Sequence, residues 1–312
     1  MTAGLEPALV AMRLVQFASA MVLLGAPSFA LGLAIVCPNA VAVRRDFDRW
    51  LWRCLGIAAL AALVSAALWL DIEAGVMGDG WDRMIDPDTI AAVLLDTVFG
   101  RAWCWHLAIE GALLGILAVT PGRVMHASVT ALVVALGVVH AASLAWAGHA
   151  VMHPGLWHVL VQVIHLLAGA LWLGSLPALF HLATLARRQG ASEAQDVLWH
   201  MLPLYSRAGY AAVGAMLLTG LLNSWFLVGS IAALSSTPFG RVLLAKIILV
   251  LLMIGVAAGN RFVLQPKIMT AGGDGAVPMG KLWRSVALEQ IIGGLVLAAV
   301  SVLGTLPPAM AH

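Results

Sequence analysis

Six histidines, His106, His140, His149, His153, His158 and His165, lie close together along the chain. Four potential metal-binding side chains are packed into the short stretch His149-Ala150-Val151-Met152-His153-Pro154-Gly155-Leu156-Trp157-His158. Imidazole and thioether together suit copper, whereas magnesium and calcium take oxygen. The bland alternative is a polar loop whose histidines simply meet water. Further along, His158, Gln162 and His165 are spaced by four and three, so on a helix they share a face. His106 and Glu110 are also four apart. They read equally as an imidazole oriented by a carboxylate at a metal and as an intrahelical neutralising pair. His140 lies at the depth of His165 on a neighbouring apolar segment. That matched pair suits a metal or haem iron, or a hydrogen bond across a helix interface.

Apolar segments carry these residues. Of 312 residues, 62% are hydrophobic and 10% charged, and the mean hydropathy is +0.97. A soluble domain uses roughly 25% charged residues. The chain therefore reads as a single all-α integral membrane domain, residues 1–312, with eight spans near 9–36, 51–70, 103–119, 125–147, 157–180, 204–229, 240–263 and 284–306. Each can cross a hydrocarbon core of about 30 Å, the shortest and longest by bilayer thinning or tilt. Asp86-Pro87-Asp88-Thr89 is a helix-start signal in the long loop 71–102, and the apolar run after it predicts a short interfacial helix. No strong internal repeat, soluble domain or low-complexity tract stands out.

Basic residues set the orientation. Twelve of 17 Lys and Arg lie in or beside alternate connections, among them Arg44, Arg45, Arg49 and Arg53, whereas the loop with Asp71, Glu73, Asp79, Asp82, Asp86, Asp88 and Asp96 is acidic. The basic side faces the cytoplasm, so both termini are expected in the periplasm of a bacterial inner membrane. Tryptophans agree, with Trp50, Trp52, Trp199 and Trp283 at the inner boundary and Trp69, Trp103, Trp105, Trp146, Trp157 and Trp225 at the outer one. Trp172 falls inside a span.

Other polar residues read as structural. Arg13 is expected to pair with Glu6 or the acidic loop, Arg241 and Lys246 to snorkel outward, Glu289 to answer Arg261 or line a conduction path, and Asn223 to join helices. Cys37, Cys54 and Cys104 form neither a CxxC pair nor a zinc spacing and are expected as small buried side chains. A net charge of +2 without a basic aromatic stripe excludes nucleic acid as a partner. No nucleotide-binding or aspartyl-phosphate motif is present, and no enzymatic activity is expected.

The segment His165-Leu166-Leu167-Ala168-Gly169-Ala170-Leu171-Trp172-Leu173-Gly174-Ser175-Leu176 resembles the signature of the CopD copper-resistance membrane proteins. Gly148-His149-Ala150, Phe239-Gly240-Arg241 through Lys246, Asn260-Arg261 with Pro266, Glu289, and Leu303-Gly304-Thr305-Leu306-Pro307-Pro308 fit the same pattern in order. The N-terminal third resembles the family more weakly, through Phe99-Gly100 to Trp103. The resemblance implies eight helices, an inner-membrane location and a role in copper handling. It also implies functional positions at His149 and His165, with Trp172 and Gly174 supporting helix packing. His106, His140, His153 and His158, with Met152, Glu110 and Gln162, come from the residues alone.

The leading expectation is a carrier in which outer histidines and Met152 collect copper, Cu(I) by the thioether, and pass it inward to His140, His165 and His106. The alternatives are a b-type haem electron-transfer subunit built on His140 and His165, and a non-transporting membrane partner of a periplasmic copper protein.

Overall fold

The computed structural model describes residues 4–120, 127–147, 156–188, 192–270 and 276–309. Among these residues the fold is all-α, an integral membrane bundle with eight helices long and apolar enough to cross a membrane. The first half comprises α1 (Leu5–Val36), α2 (Val41–Met77), a short α3 (Pro87–Asp96), α4 (Val98–Val119) and α5 (Ala127–Ser143). The second comprises α6 (Leu156–Leu173), α7 (Leu176–Ala186), α8 (Ser192–Val228), the four-residue α9 (Ala233–Ser236), α10 (Pro238–Gly259), α11 (Gln265–Thr270) and α12 (Ala276–Leu303). Helices α6 and α7 form one span, broken at Gly174 and Ser175 where Pro177 enters the first turn of α7.

The helices outrun the apolar segments read from sequence. With 37 residues each, α2 and α8 are about 55 Å long at 1.5 Å per residue, well beyond a hydrocarbon core. The surplus turns absorb much of the expected loops. α2 continues to Met77, and a 3₁₀ turn over Trp81–Ile85 leads straight into α3, which begins with Pro87. Thr89 and Arg83 hydrogen-bond Asp86 and hold its carboxyl below the ordinary carboxylate range.

A twofold repeat organises the bundle. Thr97 caps α4 by accepting from Gly100 N at 2.8 Å; Thr237 caps α10 by accepting from Gly240 N at 3.0 Å. The two caps sit in Thr97-Val98-Phe99-Gly100-Arg101 and Thr237-Pro238-Phe239-Gly240-Arg241, each preceded by a short helix, α3 or α9. The first four spans thus answer the last four.

The halves meet along α1 and α6, backbone against backbone. A Cβ on Gly174 would fall 1.7 Å from the Met21 carbonyl oxygen, and one on Gly25 would fall 2.5 Å from that of Ala170. Each contact joins a glycine to the residue four before the other glycine, as a local twofold axis requires. Only hydrogen fits at either position.

Several side chains depart from the sequence expectation. Trp69 and Trp103 are buried rather than part of an interfacial belt, because they pack edge to face with ring centroids 4.8 Å apart inside the first half. Trp105, Trp157 and Trp225 are exposed on the bundle surface, as the belt requires. Of the two partners expected for Arg13, Glu6 makes no ion pair with it, whereas Glu73 of the acidic stretch is the carboxylate whose field reaches it; its guanidinium lies over the Trp69 ring at 4.6 Å. Cys104 is exposed rather than buried, since the neighbouring Trp103 takes the inward face of α4.

Candidate metal centre and its counterpart cavity

Four helices of the first half bring polar side chains to one dry point. Gln16 comes from α1, Ser65 from α2, His106 and Glu110 from α4, and His140 from α5; all are almost fully buried. Spacing explains the α4 pair, because residues four apart share a face. Tertiary packing supplies the rest.

Ligand atoms from His106, Glu110 and His140 all lie within 4.8 Å of one another, and among the described residues no other group of three His, Cys, Asp or Glu does so. Glu110 Oε1 stands 3.2 Å from His106 Nε2 and 3.0 Å from His140 Nε2. The Gln16 amide nitrogen sits among all three, hydrogen-bonded to Glu110 Oε1, 2.7 Å from His106 Nε2 and 3.3 Å from His140 Nε2.

The surrounding bonds fix the tautomers. Ser143 Oγ donates to the His140 carbonyl at 2.7 Å, so its 2.5 Å contact with His106 requires His106 Nδ1–H to donate. His106 Nε2 is left as a bare acceptor facing the centre. His140 Nε2–H donates to Glu110, while His140 Nδ1 and Glu110 Oε2 are buried without a hydrogen-bond partner. A buried carboxylate with one oxygen left unpartnered carries a desolvation cost of several kcal/mol by order of magnitude. A cation held by two imidazoles and this carboxylate would relieve it, so the residues fit a metal.

A column of rings leads to the centre from the N-terminal end of α4. Phe99 stacks on Trp103 at 4.8 Å, Trp103 on His106 at 4.5 Å, and His106 on His140 at 4.7 Å. Trp103 is pinned by its Nε1–H, which donates to the Ala66 carbonyl at 3.0 Å.

His158 and His165 lie elsewhere. They line a cavity of about 470 Å³ between α1, α6, α8, α10 and α12, and Gln162, Asn223 and Lys246 line it with them. His165 Nδ1 contacts Thr219 Oγ1 at 3.0 Å, Asn223 Nδ2 donates to Gln162 Oε1 at 2.9 Å, and His158 meets Phe226 edge to face. Lys246 turns into this cavity beside His165 instead of snorkelling away. His140 belongs to the centre in the first half, so the matched-depth pair His140 and His165 does not share a pocket. Trp172 is buried in the main core, next to the Gly174 contact. His149, Met152 and His153 lie outside the described residues. Glu289 does not pair with Arg261; it accepts from Asn260 Nδ2 at 2.5 Å.

The cavity occupies the place in the second half that the centre occupies in the first. His106 is nine residues after the capping Thr97, and Lys246 nine after Thr237; Glu110 and Val250 follow four later. Gln16 precedes Gly25 by nine, as His165 precedes Gly174, and each bonds a hydroxyl of the next span, Ser65 or Thr219. Gly137 meets α1 at Leu23 and Gly293 meets Leu173, which sets Val296 opposite His140. Arg13 over Trp69 is answered by Gln162 bonded to Asn223. The positions of His106, Glu110 and His140 in the first half are therefore those of Lys246, Val250 and Val296 in the second, and all three line the cavity.

Gln16, Ser65 and Ser143 were missing from the sequence reading. Gln16 alone carried a signal, as an uncharged polar residue inside an otherwise apolar span.

Comparison with known proteins follows the same division into halves. A family model described as "Copper resistance protein D-like, N-terminal domain" matches residues 2–159, which contain the whole centre, and one described as "Copper resistance protein D" matches residues 199–303. The chain is 32% identical over 302 residues to "Inner membrane protein YebZ" of Escherichia coli (strain K12), covering 96% of this chain and 98% of that protein. It is 33% identical over 265 residues to "Copper resistance protein D" of Pseudomonas syringae pv. tomato, covering 82% and 84%. Against "Copper transport protein CutJ" of Bacillus subtilis (strain 168) the identity is 28% over 260 residues, 80% of this chain and 44% of that protein. No solved structure matches the chain. With both family models matched in order and 98% and 84% of the two relatives above 30% identity covered, the chain belongs to the copper resistance protein D family of multi-pass membrane proteins.

Proposed function

We propose that the protein binds copper as cargo at His106, Glu110 and His140 and moves it across or into the inner membrane. The observation that carries this reading is the convergence of those three ligand atoms on one buried point, filled by the Gln16 amide. The relatives named for copper resistance and copper transport support copper among the metals that imidazole and carboxylate accept. The centre contains no sulfur, so it suits divalent copper as well as Cu(I).

Gln16 acts as a stopper and then as a ligand. Without metal its two N–H groups serve His106 Nε2 and Glu110 Oε1, while Ser65 Oγ holds its carbonyl at 2.6 Å. A cation in the centre repels that NH₂ group. The amide then turns over, Oε1 facing the metal and Nε2 donating to Ser65 Oγ, whose own hydrogen goes to the Ala62 carbonyl 3.0 Å away. His140 gives up its Nε2 proton and carries one on the free Nδ1 instead.

The outer connection with His149, Met152 and His153 collects the ion, with both termini on the periplasmic side as the basic residues dictate. The acidic loop offers a docking face to a periplasmic copper protein.

Purified full-length protein, loaded separately with Cu(II) and with Cu(I) under reductant, is expected to retain one buried copper per chain. The His106→Ala/His140→Ala variant should lose it, and retention of the same stoichiometry would overturn the assignment. Copper flux into proteoliposomes, absent from the same variant, separates transport from binding alone. A Soret band from the purified protein would instead support the haem alternative.

A further inference from the structure

The cavity of the second half presents cations where the first half presents metal ligands. Lys246 replaces His106, and valines replace Glu110 and His140, which removes the carboxylate and opens the space. Arg13 reaches the same cavity from α1, its guanidinium lying over Gly304, where a Cβ would fall 1.7 Å from Nη2. No aspartate or glutamate lines the cavity, and among the described residues Lys246 has no ion pair or hydrogen bond. Both charges sit at one level: each is eight residues from the start of its helix, about 12 Å along the axis, in spans that run in the same direction. His165, Gln162 and Asn223 add neutral hydrogen-bonding groups, and the remaining wall is apolar.

Lys246 without a counter-charge, joined by Arg13 whose nearest carboxylate, Glu73, lies outside the lining, calls for an anion with a hydrocarbon body in this apolar chamber. We infer that this cavity binds a single-chain anionic amphiphile, a long-chain carboxylate, with its head between Lys246 and Arg13 and its tail along Leu243, Val250 and Val296. A diacyl phospholipid, with two acyl chains, is too bulky for a chamber of about 470 Å³. A copper ion is disfavoured because Lys246 repels it from His165. The inference does not depend on copper binding in the first half.

Native mass spectrometry of the full chain in a neutral detergent tests it, with palmitate, hexadecanol and dipalmitoyl phosphatidylglycerol as probes. One palmitate per chain should bind at least about tenfold more tightly than hexadecanol, the usual scale for a desolvated charge pair. Lys246→Gln should remove that preference and leave hexadecanol binding unchanged. Arg13 braces Trp69, so its replacement also risks the fold. Gly169→Leu, which fills the cavity from α6, serves as the second variant and should abolish binding of both single-chain probes. Equal affinity for palmitate and hexadecanol, an unchanged preference in Lys246→Gln, or displacement of palmitate by phosphatidylglycerol would each overturn the inference.

Discussion

The two halves of this bundle share helix order, caps and register, yet their interiors are opposite in character. In the first half a carboxylate, two imidazoles and an amide fill a point so tightly that the amide nitrogen touches the other three side chains. In the second, a lysine and two valines at the matching positions border an open chamber. The framework that survives is the part that fixes backbones. Gly25 and Gly174 hold α1 against α6, Thr97 and Thr237 start α4 and α10, and a polar residue on the first span of each half bonds a hydroxyl on the second. The residues at the candidate centre differ between the halves while the helix placement does not. Electrostatic sign is thus a local choice on a common scaffold.

That comparison breaks first at the seam. Gly25→Leu or Gly174→Leu drives a side chain into the opposing backbone, and the loss of thermal stability in detergent should equal or exceed about 3 kcal/mol, the upper range of core overpacking. Because the seam serves both halves, copper retention and palmitate binding should fall together.

Next in size is Glu110→Val, which gives the first half the residue of the second. Copper affinity should fall by more than the roughly 10–100-fold that loss of a partner behind the ligands costs, while palmitate binding stays as it was. A parallel loss of palmitate would show that the halves are coupled rather than independent. A smaller effect is expected of Ser143→Ala, which frees the His106 tautomer without removing a ligand: about tenfold in copper affinity at unchanged stoichiometry. Smallest is Asn223→Leu. The bond to Gln162 joins α6 to α8 and should cost about 0.6 kcal/mol in unfolding, the average for a hydrogen bond between membrane helices, with copper affinity untouched.

Much of the framework is legible in the sequence. Apolar runs give eight spans, and the His106–Glu110 spacing gives one edge of the centre, because both signals are local. Depth along a helix is legible too, which is why His140 and His165 look like partners. Azimuth is not. The direction in which a residue on an apolar helix faces is set by packing, and packing sends the two imidazoles into different halves. Gln16 illustrates the same limit from the other side, since its partners are 90, 94 and 124 residues away. The repeat hid for a related reason. Thr97-Val98-Phe99-Gly100-Arg101 and its counterpart match at four of five positions, but the residues that would extend the match are those whose chemistry diverged.

The ring column of the first half also gives the protein an optical readout of its own. Trp103 is stacked on the His106 imidazole, whereas Trp105, Trp157 and Trp225 face outward on the bundle surface. A paramagnetic ion arriving at His106 would sit one ring away from an excited indole and drain its emission. Filling of the centre would then be visible as dimming of the buried Trp69–Trp103 pair, with no label attached.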